Sequence, residues 1–298
     1  MTELLSSLVQ GIGMGSVYAL VALGFVIIYK STRVINFSQP ALMMAGAVIV
    51  SYLVGPLGFY LAVILAVAAV ATLALSLERT VVRPMIGRPV FIIAIITIGI
   101  DIALRNVLSG FIGADVRQVG SPWGLQRVEF LAELGISVQQ RHVAMVVTTL
   151  VVITVLFAFF KYSRLGLAMR GTAFDQETAL TQGVSVGGVF ALSWAIAGGL
   201  AAVAGVFAAS GAGIDQQLWV VALKALPAII IGGLESLEGA VIGGITVGVV
   251  EALVSTYQAD YAPWLGNNFS IVAPYVVMLL VLLVRPYGLF GTKEVQRV

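Results

Sequence analysis

Residues 223–253 read LKALPAIIIGGLESLEGAVIGGITVGVVEAL, and this stretch decides the fold class. Two apolar segments, about 217–233 and 239–256, meet there around the sequence GGLESLEG. The chain carries several pairs of small residues four positions apart: Gly239 with Gly243, Gly244 with Gly248, Gly11 with Gly15, and Ala201 with Gly205. Small residues at this spacing let a second helix backbone approach closely in lipid. The stretch therefore predicts packed transmembrane helices.

The composition of the whole chain supports a membrane protein. Soluble domains average about 45–50% apolar and about 25% charged residues. This 298-residue chain has 60% hydrophobic and 10% charged residues, with a mean hydropathy of +1.06. So few charges exclude a soluble enzyme and a disordered chain. With no cysteine and one histidine, His142, we expect no catalytic residues and no metal site. The net charge of +2 does not indicate a nucleic-acid partner.

Nine hydrophobic segments are candidates for membrane-spanning helices, each of which needs about 20 mostly apolar residues. Their approximate bounds are 7–29, 40–54, 58–77, 90–111, 142–160, 188–210, 217–233, 239–256 and 268–284. The sequence predicts an all-α, polytopic transmembrane helical bundle of about 8–10 spans, forming one domain over residues 1–298. Segments 40–54 and 217–233 are short, which is typical of discontinuous helices at a transport path. We expect one or two such helices.

Basic residues predict the orientation, because cytoplasmic loops carry an excess of Lys and Arg. With nine alternating spans, eleven basic residues fall on one side: Lys30, Arg33, Arg79, Arg83, Arg88, Lys161, Arg164, Arg170, Arg285, Lys293 and Arg297. Three fall on the other side: Arg117, Arg127 and Arg141. The bias places the C-terminus in the cytoplasm and the N-terminus outside.

Two loops are long, an outer loop at about 112–141 and an inner loop at about 161–187. The outer loop is either a lid or spacer, or a docking surface for an outer partner. In the inner loop, Thr172 to Asp175 matches the Ser/Thr-x-x-Asp/Glu signature of a helix start. It predicts a short helix over 173–182 that ends at Gly183. This helix either docks a soluble partner or simply connects two spans.

Four ionisable residues lie inside predicted spans, where charged side chains are rare and often functional: Asp101, Arg105, Lys224 and Glu251. Asp101 and Arg105 are four positions apart on one helix face and can neutralise each other. Lys224 and Glu251 lie at similar depths in consecutive spans, roughly 13 and 18 Å from the inner ends at about 1.5 Å per residue. We predict that Lys224 and Glu251 pair, either as a structural salt bridge or as a gate element.

Polar residues before segment 40–54 and between segments 217–233 and 239–256 are candidates for the solute path: Asn36, Ser38, Gln39 and Ser236. Pro40 suits the first turn of a helix. The free N–H groups of such a helix start can bind a carboxylate. The positive-inside count places this turn near the cytoplasmic side. The alternative is a cytoplasmic turn capped by Asn and Ser.

Four stretches together resemble the LivH-type inner-membrane permeases of branched-chain amino acid ABC importers. They are GSVYALVALGFVIIYKSTRVINFSQPALMMAGA at 15–47, GLAMRGTAFDQETALTQGV at 166–184, the stretch 223–253 quoted above, and VRPYGLFG at 284–291. The resemblance spans nearly the whole chain. One departure follows Asn36 and Phe37, where the family pattern has Ala-His-Gly and this chain has Ser38-Gln39-Pro40.

The resemblance implies a bacterial inner-membrane permease for branched-chain or similar small amino acids. Its expected partners are two cytoplasmic ABC ATPases, a second homologous permease, an extracytoplasmic solute-binding protein and membrane lipid. ATP and Mg²⁺ would bind the ATPases, since this chain has no Walker A pattern and is not expected to bind a cofactor itself. The inner-loop residues that would contact the ATPases are Arg170, Thr172, Phe174, Asp175, Glu177, Leu180 and Gly183.

Two alternatives stay open at this point. Related permeases carry urea, short amides or other small organic solutes, so the solute itself is not decided. A stand-alone secondary transporter would instead need intramembrane carboxylates for its coupling ion, and Asp101 and Glu251 are the candidates.

Overall fold

The chain folds as an all-α bundle. The computed structural model describes residues 2–113, 116–123, 126–133, 135–266 and 268–291. Within these ranges the backbone forms α-helices, short 3-10 and π turns, and only isolated bridges in place of a sheet. The tail residues Lys293 and Arg297, which contribute to the predicted orientation, lie outside the described residues.

The described part of the chain contains thirteen α-helices. They are α1 (Thr2–Thr32), α2 (Gln39–Leu57), α3 (Phe59–Leu77), α4 (Val90–Ile112), α5 (Glu129–Glu133), α6 (Gln140–Tyr162), α7 (Arg164–Phe174), α8 (Gln176–Thr181), α9 (Val186–Ala212), α10 (Trp219–Leu223), α11 (Ala225–Gly232), α12 (Leu237–Tyr261) and α13 (Phe269–Val284). Seven are long and apolar enough to cross a membrane: α1, α2, α3, α4, α6, α9 and α12.

All nine predicted apolar segments are helical, and the predicted polytopic helical bundle is confirmed. Segment 217–233 is discontinuous as expected, because it is split at Lys224 into α10 and α11. Segment 40–54 was predicted to be short and is not. It belongs to α2, a 19-residue helix. The other short apolar helix is α13, which has 16 residues and contains Pro274.

Helices α1 and α9 form the centre of the bundle. Most of α1 from Val17 to Ile28 is fully buried, and Trp194 and Ala197 in α9 are buried in the same core. The outer helices instead expose large apolar side chains, such as Leu150 in α6 and Leu283 in α13. A central helix that is apolar all round, surrounded by helices with exposed apolar faces, is the arrangement expected in lipid.

Glycines bring α1 and α12 into backbone contact. A Cβ atom on Gly244 would lie 2.6 Å from the Cα of Ala19, and one on Gly15 would lie 2.7 Å from the Cα of Ile245. A Cβ atom on Gly11 would lie 2.8 Å from the Cα of Val249. Real Cβ atoms do not approach other atoms this closely, so only glycine fits. The predicted role of these small residues in helix packing is confirmed.

Close backbone contact at glycines also joins α2 to α9. A Cβ atom on Gly46 would lie 2.8 Å from the Cβ of Ala202, and one on Gly205 would lie 2.8 Å from the carbonyl carbon of Met43. Gly46 and Ala202 therefore face each other, and Gly205 packs against the backbone of α2. Close packing of α2 on α9 fixes the position of the chain segment that precedes α2.

The outer loop packs against the ends of α2, α3 and α9. Trp123 stacks on Phe207 at a centroid distance of 5.5 Å and meets the edge of Phe59 at 5.2 Å. The guanidinium of Arg117 lies 3.6 Å from the centre of the Tyr52 ring. These contacts hold the described part of the loop across one end of the bundle.

Because Gly248 faces the α1 backbone at Gly11 and Gly15, the substitution Gly248→Leu should separate α1 from α12. We expect it to destabilise the protein by roughly 1–3 kcal/mol or more, the usual effect of overpacking. The measurement is the thermal unfolding midpoint in detergent. Gly110→Leu is the matched control, since no atom lies within 4 Å of its Cβ position. Equal losses in the two variants would contradict backbone packing at Gly248.

Candidate functional site

The break between α10 and α11 holds a buried charge network. Lys224 is the break residue, and its ammonium contacts the carboxylate of Glu251 in α12. The hydroxyl of Tyr18 in α1 donates to the second oxygen of that carboxylate, with an O–O distance of 2.6 Å. Tyr18 is fully buried, and the Lys224 and Glu251 side chains are 14% and 19% exposed. The structure contains the predicted pair and adds a third member.

Tyr18 was not identified from the sequence, although a signal for it exists. Gly15 packs on Gly248, and side chains of a helix lean toward its N-terminus. In this antiparallel pair of helices, that lean carries Tyr18 from α1 toward Glu251, one turn beyond Gly248. The part of this signal that the sequence contains is the spacing of Gly11 with Gly15 and of Gly244 with Gly248. Which glycine faces which, and hence the contact of the hydroxyl with the carboxylate, follows only from the structure.

The second predicted pair, Asp101 with Arg105, is also present, with guanidinium-to-carboxylate distances of 2.7 Å. The other Asp101 oxygen accepts the backbone N–H of Ala41 at 3.0 Å, so this carboxylate of α4 caps the start of α2. The Arg105 guanidinium also lies 4.2 Å from the centre of the Trp219 ring in α10. One ion pair therefore connects α4 to both α2 and α10.

Helix α10 is held at both ends by these charges. Its first residue, Trp219, packs under Arg105 of α4, and the residue after its end, Lys224, contacts Glu251 of α12. The segment is only five residues long and is interrupted on both sides. This short segment is therefore anchored by a cation–π contact at one end and by an ion pair at the other.

The turn before α2 lies inside the bundle. Asn36, Ser38 and Gln39 are all fully buried. The Phe37 N–H donates to Thr97 at 3.1 Å, and Ala41 contacts Asp101, so the turn lies beside the middle of α4. At about 1.5 Å per residue this is roughly 10 to 16 Å from the start of α4 at Val90. Contacts with α4 therefore hold the turn inside the bundle, about two to three helical turns from the end of α4 that begins at Val90. Its position relative to the cytoplasmic side stays a prediction.

The predicted free N–H at the start of α2 is also not found, because Asp101 accepts the Ala41 N–H. Ser38, to which the alternative prediction gave a capping role, makes no side-chain capping bond. Asn36 Oδ1 instead accepts the Ser38 N–H at 3.0 Å and its hydroxyl at 2.6 Å, and the Gln39 amide nitrogen donates to Ala197 O at 3.1 Å.

These bonds fix the orientation of both amides. They leave two buried atoms without a partner among the described residues: the Asn36 amide nitrogen, which is a donor, and the Gln39 amide oxygen, which is an acceptor. Buried polar atoms are nearly always paired, and exceptions need an explanation. A donor and an acceptor at a helix start inside the bundle match the two charged ends of an amino acid.

Ser236 has a structural role in this conformation. Its hydroxyl accepts the Gly239 N–H at 2.9 Å and caps α12. The preceding non-helical stretch begins at Gly233, where φ is +101°, and Glu235 in it contacts Arg33. The predicted non-helical backbone is therefore present. It lies against the segment that leads to the Asn36 turn.

The inner loop forms two helices, α7 and α8, where one was predicted. Thr172 was predicted to start the helix and does not, because it lies buried within α7, which starts earlier at the Ser163 cap. Asp175 is the true cap of α8 and accepts N–H groups of Glu177 and Thr178 at 2.9 and 3.1 Å. The Thr178 hydroxyl, followed by these N–H groups, holds the pKa of Asp175 below its usual value. The cap is therefore charged at neutral pH.

Gly183 ends α8 as predicted. Its φ is +80°, its N–H donates to Leu180 O at 3.0 Å, and the Val184 N–H donates to Ala179 O at 3.0 Å. This is the Schellman arrangement, in which a left-handed glycine closes a helix.

Together α7 and α8 present an apolar surface outside the bundle. The side chain of Phe174 is 93% exposed and that of Leu180 is 57% exposed. The Gln176 side chain at the start of α8 donates to the Ser31 carbonyl at the end of α1, at 3.1 Å. The surface is therefore connected directly to the central helix. Arg170 and Glu177 lie on the same two helices.

The sequence matches one protein family and several of its members. The family model described as "branched-chain amino acid transport system / permease component" matches residues 7–283. The high-affinity branched-chain amino acid transport permease LivH of Salmonella typhimurium is 31% identical, with 99% of this chain and 97% of that protein covered. The permease BraD of Pseudomonas aeruginosa is 30% identical, with 99% and 98% covered. A probable LivH of Methanocaldococcus jannaschii is 31% identical, with 91% and 88% covered.

The fold also occurs in a solved structure. PsaBC from Streptococcus pneumoniae, solved in complex with Fab, aligns with a TM-score of 0.50 over 92% of this chain and 88% of that chain. The sequence identity is 18%, so this likeness concerns the fold alone.

If Lys224 and Glu251 stabilise each other, Lys224→Ala should cost about 3–5 kcal/mol by leaving a buried carboxylate unpaired. The exchange Lys224→Glu with Glu251→Lys should recover much of that loss. Thermal unfolding in detergent of the single and double variants measures the coupling. As a control, Glu235→Ala removes a partner from the more exposed contact with Arg33 and should cost less than about 1 kcal/mol. Purely additive losses at positions 224 and 251 would rule out the pair.

Proposed function

Because the chain belongs to the branched-chain amino acid transport permease family, we propose that it is the membrane permease subunit of an ABC importer and forms the path for branched-chain or similar small amino acids. The observation that carries the proposal is the family match over residues 7–283, which includes nearly all the apolar helices. The protein is a multi-pass protein of the inner membrane. The excess of basic residues supports a cytoplasmic C-terminus and an external N-terminus.

The importer would contain a second homologous permease, two cytoplasmic ATPases and an extracytoplasmic binding protein. ATP and Mg²⁺ belong to the ATPases, since this sequence has no Walker A pattern. The exposed surface of α7 and α8 is the proposed ATPase contact. A stand-alone ion-coupled transporter is less well supported, because Asp101 and Glu251 each contact a basic residue in place of a free ion site.

The solute path in this proposal passes the start of α2. An entering amino acid would bring its carboxylate to the Asn36 amide nitrogen and the α2 N-terminus, in competition with Asp101 for the Ala41 N–H. Its ammonium group would meet the Gln39 amide oxygen. Both amides are fully buried, so the path is closed at this point in the present conformation.

Opening requires movement of the helices around that turn. Helix α10 is the proposed moving element, because it is short and its two anchoring contacts lead to α4 and α12. These are the cation–π contact of Trp219 with Arg105 and the ion pair of Lys224 with Glu251. On the inner side, α8 contacts Ser31, and two residues later Arg33 contacts Glu235. Movement of the ATPases can therefore reach the Asn36 turn through the end of α1.

The transport proposal is tested in proteoliposomes that contain the chain with the importer subunits encoded beside it. We expect leucine uptake that requires ATP and the binding protein, and competition by isoleucine and valine. Urea and acetamide are the comparison solutes, and an ATPase variant without its Walker lysine is the control. Competition by urea or acetamide but not by isoleucine would assign a different solute. Leucine uptake by the chain alone, without ATP, would overturn the importer.

The coupling proposal predicts a specific effect at the α8 cap. Asp175→Ala removes the acceptor for three hydrogen bonds and should loosen α8, whereas Asp175→Asn keeps an effective cap. We expect binding-protein-stimulated ATP hydrolysis to fall several-fold in the Ala variant and to be largely kept in the Asn variant. Arg79→Ala, at an exposed position of the same end of the bundle but outside α7 and α8, is the control. Unchanged stimulation in Asp175→Ala would remove α8 from the coupling route.

A further inference from the structure

A cavity of about 420 Å³ opens where α1 and α6 end and α12 begins. It lies beside α7, at the end of the bundle with the excess of basic residues. Three cations line it, namely Lys30 at the end of α1, Lys161 at the end of α6 and Arg170 in α7. Its other wall is apolar and includes Ile27, Phe157 and Phe160.

The cations are not neutralised by the described part of the chain. None of the three has an ion pair there. Glu238 is the single carboxylate among the lining residues, and the Ser236 hydroxyl lies 3.3 Å from one of its oxygens. Three positive charges against one negative charge leave an excess of two, which favours an anionic occupant.

The apolar wall distinguishes between possible anions. A free inorganic anion or nucleotide phosphate gains nothing from Ile27, Phe157 and Phe160. Helix α6 continues from this wall with an apolar face that is open to the surroundings. Leu150 lies seven positions before Phe157, on the same side of the helix, and is 59% exposed, and Val147 one turn further on is 54% exposed. An acyl chain along this face would leave its headgroup at the ends of α1 and α6, where the cations are.

We propose that this cavity binds the headgroup of an anionic phospholipid of the cytoplasmic leaflet, with an acyl chain along α6. The geometry combines a cationic pocket between transmembrane helices with an adjoining apolar face, as a site for an acidic lipid requires. Because the cavity borders both α1 and α7, the bound lipid would connect the central helix to the inner helices.

The test uses the full-length chain purified in a neutral detergent. Phosphatidylglycerol should be retained in native mass spectra in preference to phosphatidylcholine and should raise the thermal unfolding midpoint. The double substitution Lys30→Gln with Lys161→Gln should reduce phosphatidylglycerol retention roughly tenfold. Arg79→Gln removes an exposed cation at the same end of the bundle but outside the cavity, and should leave retention unchanged.

Lys161→Gln alone keeps the test decisive if the double variant misfolds, because Lys161 is exposed. It should still lower phosphatidylglycerol retention several-fold. Equal stabilisation by inorganic phosphate or by glycerophosphoglycerol would show a site for the free anion and overturn the lipid assignment. Stabilisation by leucine in place of lipid, equal retention of both phospholipids, or an equal loss in Arg79→Gln would also overturn it.

Discussion

Backbone contact between α1 and α12 is the constraint on which the rest of the structure depends. In lipid there is little hydrophobic drive to bring helices together, so association relies on close packing. At Gly11, Gly15, Gly244 and Gly248 the two helices approach too closely for any side chain. This contact fixes their register, and the register together with the direction of the side chains brings Tyr18 to Glu251.

The packed helices then position the buried charged residues so that they form pairs. Two carboxylates and two cations inside an apolar bundle are costly unless each finds a partner. Here each carboxylate contacts a cation and a third group from another helix, the Tyr18 hydroxyl for Glu251 and the Ala41 N–H for Asp101. The two networks meet at α10, which is too short to hold its own position. The charges therefore position a break in the bundle as well as neutralising each other.

The features that depend on residue composition and spacing along the chain could be predicted from the sequence. The apolar segments, the packing glycines and the depths of Lys224 and Glu251 all follow from composition and spacing. The depth of the Asn36 turn could not be predicted, because it depends on Thr97 and Asp101 of another helix. The capping signature at Thr172 predicted a helix start, but α7 already starts after Ser163, so Thr172 lies within that helix. Local signatures identify possible caps, and the preceding chain selects among them.

Helix α1 contacts α12, the charge network, the turn before α2 and the inner helix α8. One face packs on α12 through glycine, Tyr18 joins the charge network, and Gly24 lies against the Gln39 side chain. Its inner end contacts α8 through Ser31 and then leads directly into the buried turn. A helix this tightly packed cannot bend along its buried length without losing glycine contacts. In the proposed mechanism, movement at α8 would therefore reach the Arg33 to Ser38 segment, which follows the contact with Ser31 and leads to the unpartnered amide groups of the proposed solute path.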